Sequence, residues 1–186
     1  MTIMTLIPQG ADPARRVRLL ANRMGECFTA AKNNTLNGVD LTLYQRLSSL
    51  QCWNSALLCA WAAKGINSTS ITLTASEFGL ASNEDHGKIF GPNAVRDKAV
   101  RSAAQLLALP QGCFIGFVSS TNIFRHCMLH ISEGWGAGNK NDCIFRDGHT
   151  VGFEKLDLTK FFFADSNHNG NEYTTMVYAP IKGQTI

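Results

Sequence analysis

The sequence predicts an α+β domain, with helices first and an antiparallel sheet after them. Three observations lead to that expectation. Up to about residue 65 the apolar side chains recur at helical spacing. One stretch inside that region, "CWNSALLCAWAA", is apolar almost all round, the pattern of a helix covered on several sides. From Cys113 onward the apolar residues alternate in short runs separated by Gly, Asn and Asp. Helices followed by a run of strands is the α+β arrangement.

Taken in order, "DPARRVRLLANRMGECFTAAKNN" offers Asp12 as an N-cap and Pro13 at the first helical position. A turn-rich patch, "NNTLNGVD", follows. "DLTLYQRLSSL" then leads into the apolar helix, expected from about Leu50 to Lys64 with Gly65 as its stop. "STSITLTASEFGLASNEDHGKIFGPN" is polar and reads as a surface loop, and "NAVRDKAVRSAAQLLAL" as an amphipathic helix ended by "PQG". The expected strands are "CFIGFVSS", "RHCMLHIS", "GWGAGN", "CIF", "KFFFAD" and "EYTTMVYAP". The chain is read as a single domain, 1–186, with a helical part over 1–47, a central helix over 48–65 and the sheet over 112–180.

Composition narrows the function classes. The chain has 186 residues, 45% of them hydrophobic and 17% charged, which is a globular composition rather than a disordered one. The net charge of +3 is small, and the clusters "ARRVR" and "RDKAVR" read as solvated helix faces, so no nucleic-acid partner is expected. No apolar run approaches the roughly 20 residues of a membrane span. The N-terminal "MTIMTLIPQGADPARR" lacks the pattern of a signal peptide, so synthesis in the cytoplasm is expected. Of the six cysteines (27, 52, 59, 113, 127 and 143), none forms a CxxC pair and four lie in apolar runs. They read as small buried hydrophobes in a reducing environment, with no zinc site. "DSNHNG", from Asp165, resembles the start of a calcium loop, but the twelfth position is Met176 instead of the bidentate Glu, so no calcium is expected.

One cysteine differs from the rest. Ser48 and Ser49 are candidate N-caps of the apolar helix, and capping by Ser49 puts Cys52 at its third position. Unpaired N–H groups and the positive end of the helix dipole favour a thiolate there, which is the state a nucleophile needs. Cys59, two turns deeper, has no such help. A base is available in "FRHCMLHISEGWGAGNKND". With Glu133 and Gly134 as a two-residue hairpin turn, Ser132 faces Trp135. His130 then faces Ala137, Met128 faces Asn139, and His126 faces Asn141, with β-carbons about 5 Å apart. Asn141 could then fix the imidazole tautomer, and a one-residue register change would bring Asp142 there instead. His130 shares the strand face with His126 and competes with it, but His126 lies at the strand entrance and is preferred.

These residues resemble the papain-like cysteine peptidase superfamily. "QCWNSALLCAW" is similar to its signature, in which Cys-Trp opens the long central helix, and "RHCMLHISEGWG" to its histidine strand. The order Cys, His, Asn/Asp is also the family's, and the compact layout looks closest to bacterial effector and toxin members. The resemblance implies a Cys-His-Asn/Asp triad acting on amide bonds through a thioester, with no cofactor. The implied substrate is a protein or peptide in a host or competitor cell, reached through a specialised secretion system. Glutamine deamidation or transglutamination by the same triad, or a non-catalytic binding module on this fold, are the alternatives. The family's oxyanion glutamine has no clean counterpart: Gln45 is seven residues upstream of Cys52 and Gln51 is adjacent. Gln45, Gln51 and the Cys52 N–H are the candidate donors. Trp53 reads as core, packing beside the imidazole. Asp165, in "FFFADSN", resembles the acidic partner of some effector peptidases and is a third option beside Asn141 and Asp142.

Overall fold

The computed structural model describes residues 11–64, 89–140, 152–164 and 173–181. Helix α1 (Pro13–Lys32) starts as its sequence requires: the Asp12 carboxylate accepts the Arg15 N–H at 2.9 Å, and Pro13 sits in the first turn. Its inner stripe, Val17, Leu20, Ala21 and Met24, is buried. Helices α2 (Gly38–Ser49) and α3 (Cys52–Ala62) follow, and the rise from one into the other is broken at Leu50 and Gln51, both extended. The root of α3 is held by α1, whose Arg16 donates from Nε to Ala63 O at 3.1 Å, from Nη2 to Lys64 O at 2.7 Å, and from Nη1 to Ala11 O.

The expected helix over "NAVRDKAVRSAAQLLAL" is corrected by the structure. It divides into a single turn α4 (Ala94–Asp97), a short strand β1 (Ala99–Val100) and helix α5 (Ala103–Leu107). The uninterrupted helical pattern yields here because Ala99 and Val100 pair with Val177 and Met176 at a sheet edge. The Ser102 hydroxyl then caps the new helix by accepting from Gln105 N. Further strands are β2 (Phe114–Val118), β3 (Phe124–Ser132), β4 (Trp135–Lys140), β5 (Gly152–Asp157) and β6 (Thr175–Ala179). They form one antiparallel sheet in the order β1-β6-β2-β3-β4-β5. The fold is therefore α+β.

Strand β5 was not anticipated, and "KFFFAD" is not a strand. Thr159–Ala164 forms a π-helical turn, started by the Asp157 carboxylate, which accepts from the N–H groups of Thr159 and Lys160. A continuous apolar run does not distinguish a strand from a helical turn by period. The expected "CIF" strand and the Gly65 stop lie outside the described residues.

The sheet is buried on both faces. On one, helices α1 and α3 cover Phe114, Cys127, Leu129, Ile131, Ala137 and Phe153. On the other, Leu106 of α5, Leu158 and Tyr173 cover Ile115, Phe117, Met128 and Met176. Glu133 and Gly134 have φ of 46° and 80°, so the two-residue turn with Ser132 opposite Trp135 forms as its sequence requires.

Gly112 leads into β2 at φ 84°, and a β-carbon there would stand 2.1 Å from the carbonyl oxygen of Ala14. Gly38 has φ 61° with nothing near it. We expect Gly112→Ala to lower the unfolding free energy by about 2 kcal/mol or more, and Gly38→Ala by only about 1 kcal/mol. Urea denaturation of the two variants checks the difference.

Candidate functional site

Cys52 is the first residue of α3, two positions nearer the helix start than the third position expected. The reason lies in the serines. Ser49 ends α2 and its hydroxyl donates back to Arg46 O at 2.9 Å, while the Ser48 hydroxyl accepts the Phe153 N–H at 3.0 Å. The N-cap position falls to Gln51, which makes no side-chain capping bond, and the first turn carries no acidic residue. Cys52 is 7% exposed and belongs to the helix-side core.

Strand parity decides what can meet it. Along β3, Cys127, Leu129 and Ile131 point to the helices. His126, Met128 and His130 therefore point to the other face. His126 is 0% exposed, faces Phe117 across the β2 pair, and holds its ring 5.7 Å from that phenyl. His130 places Nδ1 3.2 Å from Pro110 O, the neutral ring donating from that nitrogen. This corrects the expected Cys52–His126 contact, and the His130 alternative with it: among the described residues, both imidazoles lie across the sheet from Cys52.

The ladder on which His126 was expected to face Asn141 has a different register in its described part. Ser132 does face Trp135, but Leu129 faces Ala137 and His130 faces Gly136, so β3 carries an extra residue, a bulge, at Ile131. The expected register would have set Asn139 against Met128 in the apolar far core. The register found sets Gly136 and Gly138 there instead, where added β-carbons would stand 2.9 Å from Leu158 and 3.1 Å from Met128. Asn141, Asp142 and Asp165 lie outside the described residues, as do Cys143, His86, His149 and His168.

The polar residue that does reach the α3 tip is Asn139, which the sequence reading paired elsewhere. It is 1% exposed, and its Nδ2 donates to Ser48 O at 3.0 Å and to Leu50 O. Its Oδ1 is buried and accepts no hydrogen bond among the described residues. The signal for it was parity: once the bulge is placed, Ala137 and Asn139 are the inward residues of β4. Gln45 and Gln51 are exposed, on α2 and at the α3 tip. Trp53 is core, with ring centroids 6.1 Å from Phe90 and 6.0 Å from Phe114, and does not lie beside the His126 ring.

Burial holds the other described thiols neutral. It pushes Cys59 far up, Cys113 up to about 12 and Cys27 up more modestly. It also raises Cys127 well above its ordinary value, with smaller contributions from Cys52 and Cys113. Cys27, Cys59, Cys113 and Cys127 are free thiols. Among the described residues, no group of three His, Cys, Asp or Glu side chains is placed to hold a metal ion. No described helix is long and apolar enough to cross a membrane. Comparison with family models, curated proteins and solved structures finds no match to this chain.

Desolvation lowers the His130 pKa below its ordinary value, against a smaller opposing effect of the Pro110 carbonyl. The unfolded chain therefore binds the extra proton first. Stability from this group is full above about pH 6.5 and falls as pH drops toward the folded pKa. Denaturation midpoints measured on either side of pH 6.5 should show that acid-side loss, and His130→Gln should flatten it.

Proposed function

We propose that this chain is a cysteine-dependent hydrolase of amide bonds with a papain-like layout, in which Cys52 is the nucleophile. The observation that supports it is the place of Cys52: the first residue of a helix whose N-terminus carries no side-chain cap and no acid in its first turn. The helix dipole there favours the thiolate, as burial disfavours it at Cys59, Cys113 and Cys127. The thiolate adds to the amide carbonyl carbon, and the developing oxyanion is met by N–H groups of the first turn. Collapse expels the amine and leaves a thioester, which water hydrolyses.

The proton for the leaving amine has to come from the helix side of the sheet. Among the described residues, His126 and His130 are behind it, and His86, His149 and His168 lie outside the described residues. Peptide cleavage and glutamine deamidation share the thioester step, and the resemblance to bacterial effector and toxin members makes a protein of a host or competitor cell the substrate class.

A second reading, a binding module without catalysis, is favoured by the far-side position of both described imidazoles. Brief alkylation with iodoacetamide at about pH 6, followed by mass mapping, separates the two. Cys52 should be modified first of the six cysteines, at a rate unchanged by His126→Ala. Labelling of Cys52 no faster than that of a small unstructured thiol peptide would leave only the binding module.

A further inference from the structure

We infer that Asn139 is the positioning residue that creates the helix terminus on which Cys52 sits. Its side-chain amide takes the two carbonyl oxygens that an unbroken α2–α3 helix would give to the N–H groups of Cys52 and Asn54. In an α-helix the N–H of residue i bonds to the carbonyl of i−4. Continued through the junction, Cys52 N–H would go to Ser48 O and Asn54 N–H to Leu50 O. In the structure both oxygens accept from Asn139 Nδ2, one hydrogen to each. The first helical bond of α3 runs instead from Ser55 N to Gln51 O at 2.8 Å.

The local signal for a break is the serine pair Ser48-Ser49, and neither hydroxyl caps α3: one accepts from Phe153 N and the other donates to Arg46 O. Between Val39 and Lys64 there is no glycine and no proline, and the residues are helix-compatible throughout. Yet Leu50 (φ −95°, ψ 158°) and Gln51 (φ −65°, ψ 158°) are extended. With the serine hydroxyls spent elsewhere, the groups that hold the junction open come from outside the segment. Asn139 approaches from β4, and its neighbour across the β5 pair, Phe153, donates its own N–H to the Ser48 hydroxyl. The amide is needed for its two hydrogens: a carboxylate of the same shape only accepts, and would face two carbonyl oxygens. Both donations come from Nδ2, and among the described residues no donor reaches Oδ1.

The functional meaning of this role rests on the reading of Cys52 as nucleophile, whereas the helix break stands by itself. The test uses the full chain with two readouts: hydrogen exchange at the amides of residues 52–54, and the rate of Cys52 alkylation at about pH 6. Asn139→Leu should fuse the helices, slow exchange at those amides and slow alkylation about tenfold, the effect of one unit in thiol pKa. Adding Gln51→Pro should restore both. Proline's own φ is that of Gln51 here, and the residue before a proline adopts the ψ that Leu50 has. Fast exchange and unchanged alkylation in a folded Asn139→Leu would overturn the inference. So would a loss that Gln51→Pro does not restore, since that marks a packing role only. Should Asn139→Leu not fold, Asn139→Asp carries the same expectation and the same rescue. If wild-type Cys52 shows no preferential alkylation, the hydrolase reading falls, and exchange at 52–54 still decides the role of Asn139.

Discussion

Strand β3 is buried on both faces, and most of the molecule follows from that. From His126 to Ile131 every side chain is enclosed, alternately against helices α1 and α3 and against the second core. A slip of one residue would turn two imidazoles and a methionine toward the helices, and Cys127, Leu129 and Ile131 toward Phe117 and Tyr173. Burial on both sides makes that exchange costly, so parity on β3 is firmly set. It puts Cys52 in the company of Cys127 and Asn139, and His126 in that of Phe117.

Much of this architecture could be read from residue types. Asp12-Pro13 announces a helix start, Glu133-Gly134 a two-residue turn, and the alternating runs 114–118, 124–132, 135–140 and 175–179 are strands. Elements escaped the sequence where long-range contacts overrule local preference. Ala99-Val100 leaves a good helical pattern to join a sheet edge, and Thr159–Ala164 winds around Asp157 although its phenylalanines suggest a strand. The break before the apolar helix was expected, but its place at Leu50-Gln51 is set by contacts from β4 and β5.

The candidate site was legible to the same extent. That Cys52 would lie in the first turn of an apolar helix followed from the sequence, but its place at the first position did not, because Ser48 and Ser49 spend their hydroxyls on Phe153 and Arg46. The register of β4 against β3 was missed by one added residue. Counting back from a correctly identified turn assumes an unbroken ladder, and the bulge at Ile131 displaces everything beyond it by one. A bulge has no strong signature in residue type here. What hints at it is the pair Gly136 and Gly138, which only makes sense on the crowded face under Leu158 and Met128.

Helix α3 is gripped at its root by the Arg16 guanidinium and at its tip, through the chain leading into it, by the Asn139 amide. These clasps come from elements more than a hundred residues apart, so α3 behaves as a rod with both ends anchored in different parts of the frame. Such a rod resists sliding along its own axis. Changes in its middle, at Ala56, Leu57 or Ala60, would loosen the fit without carrying the sulfur away from its station, and the tip would drift only if one of its moorings were cut.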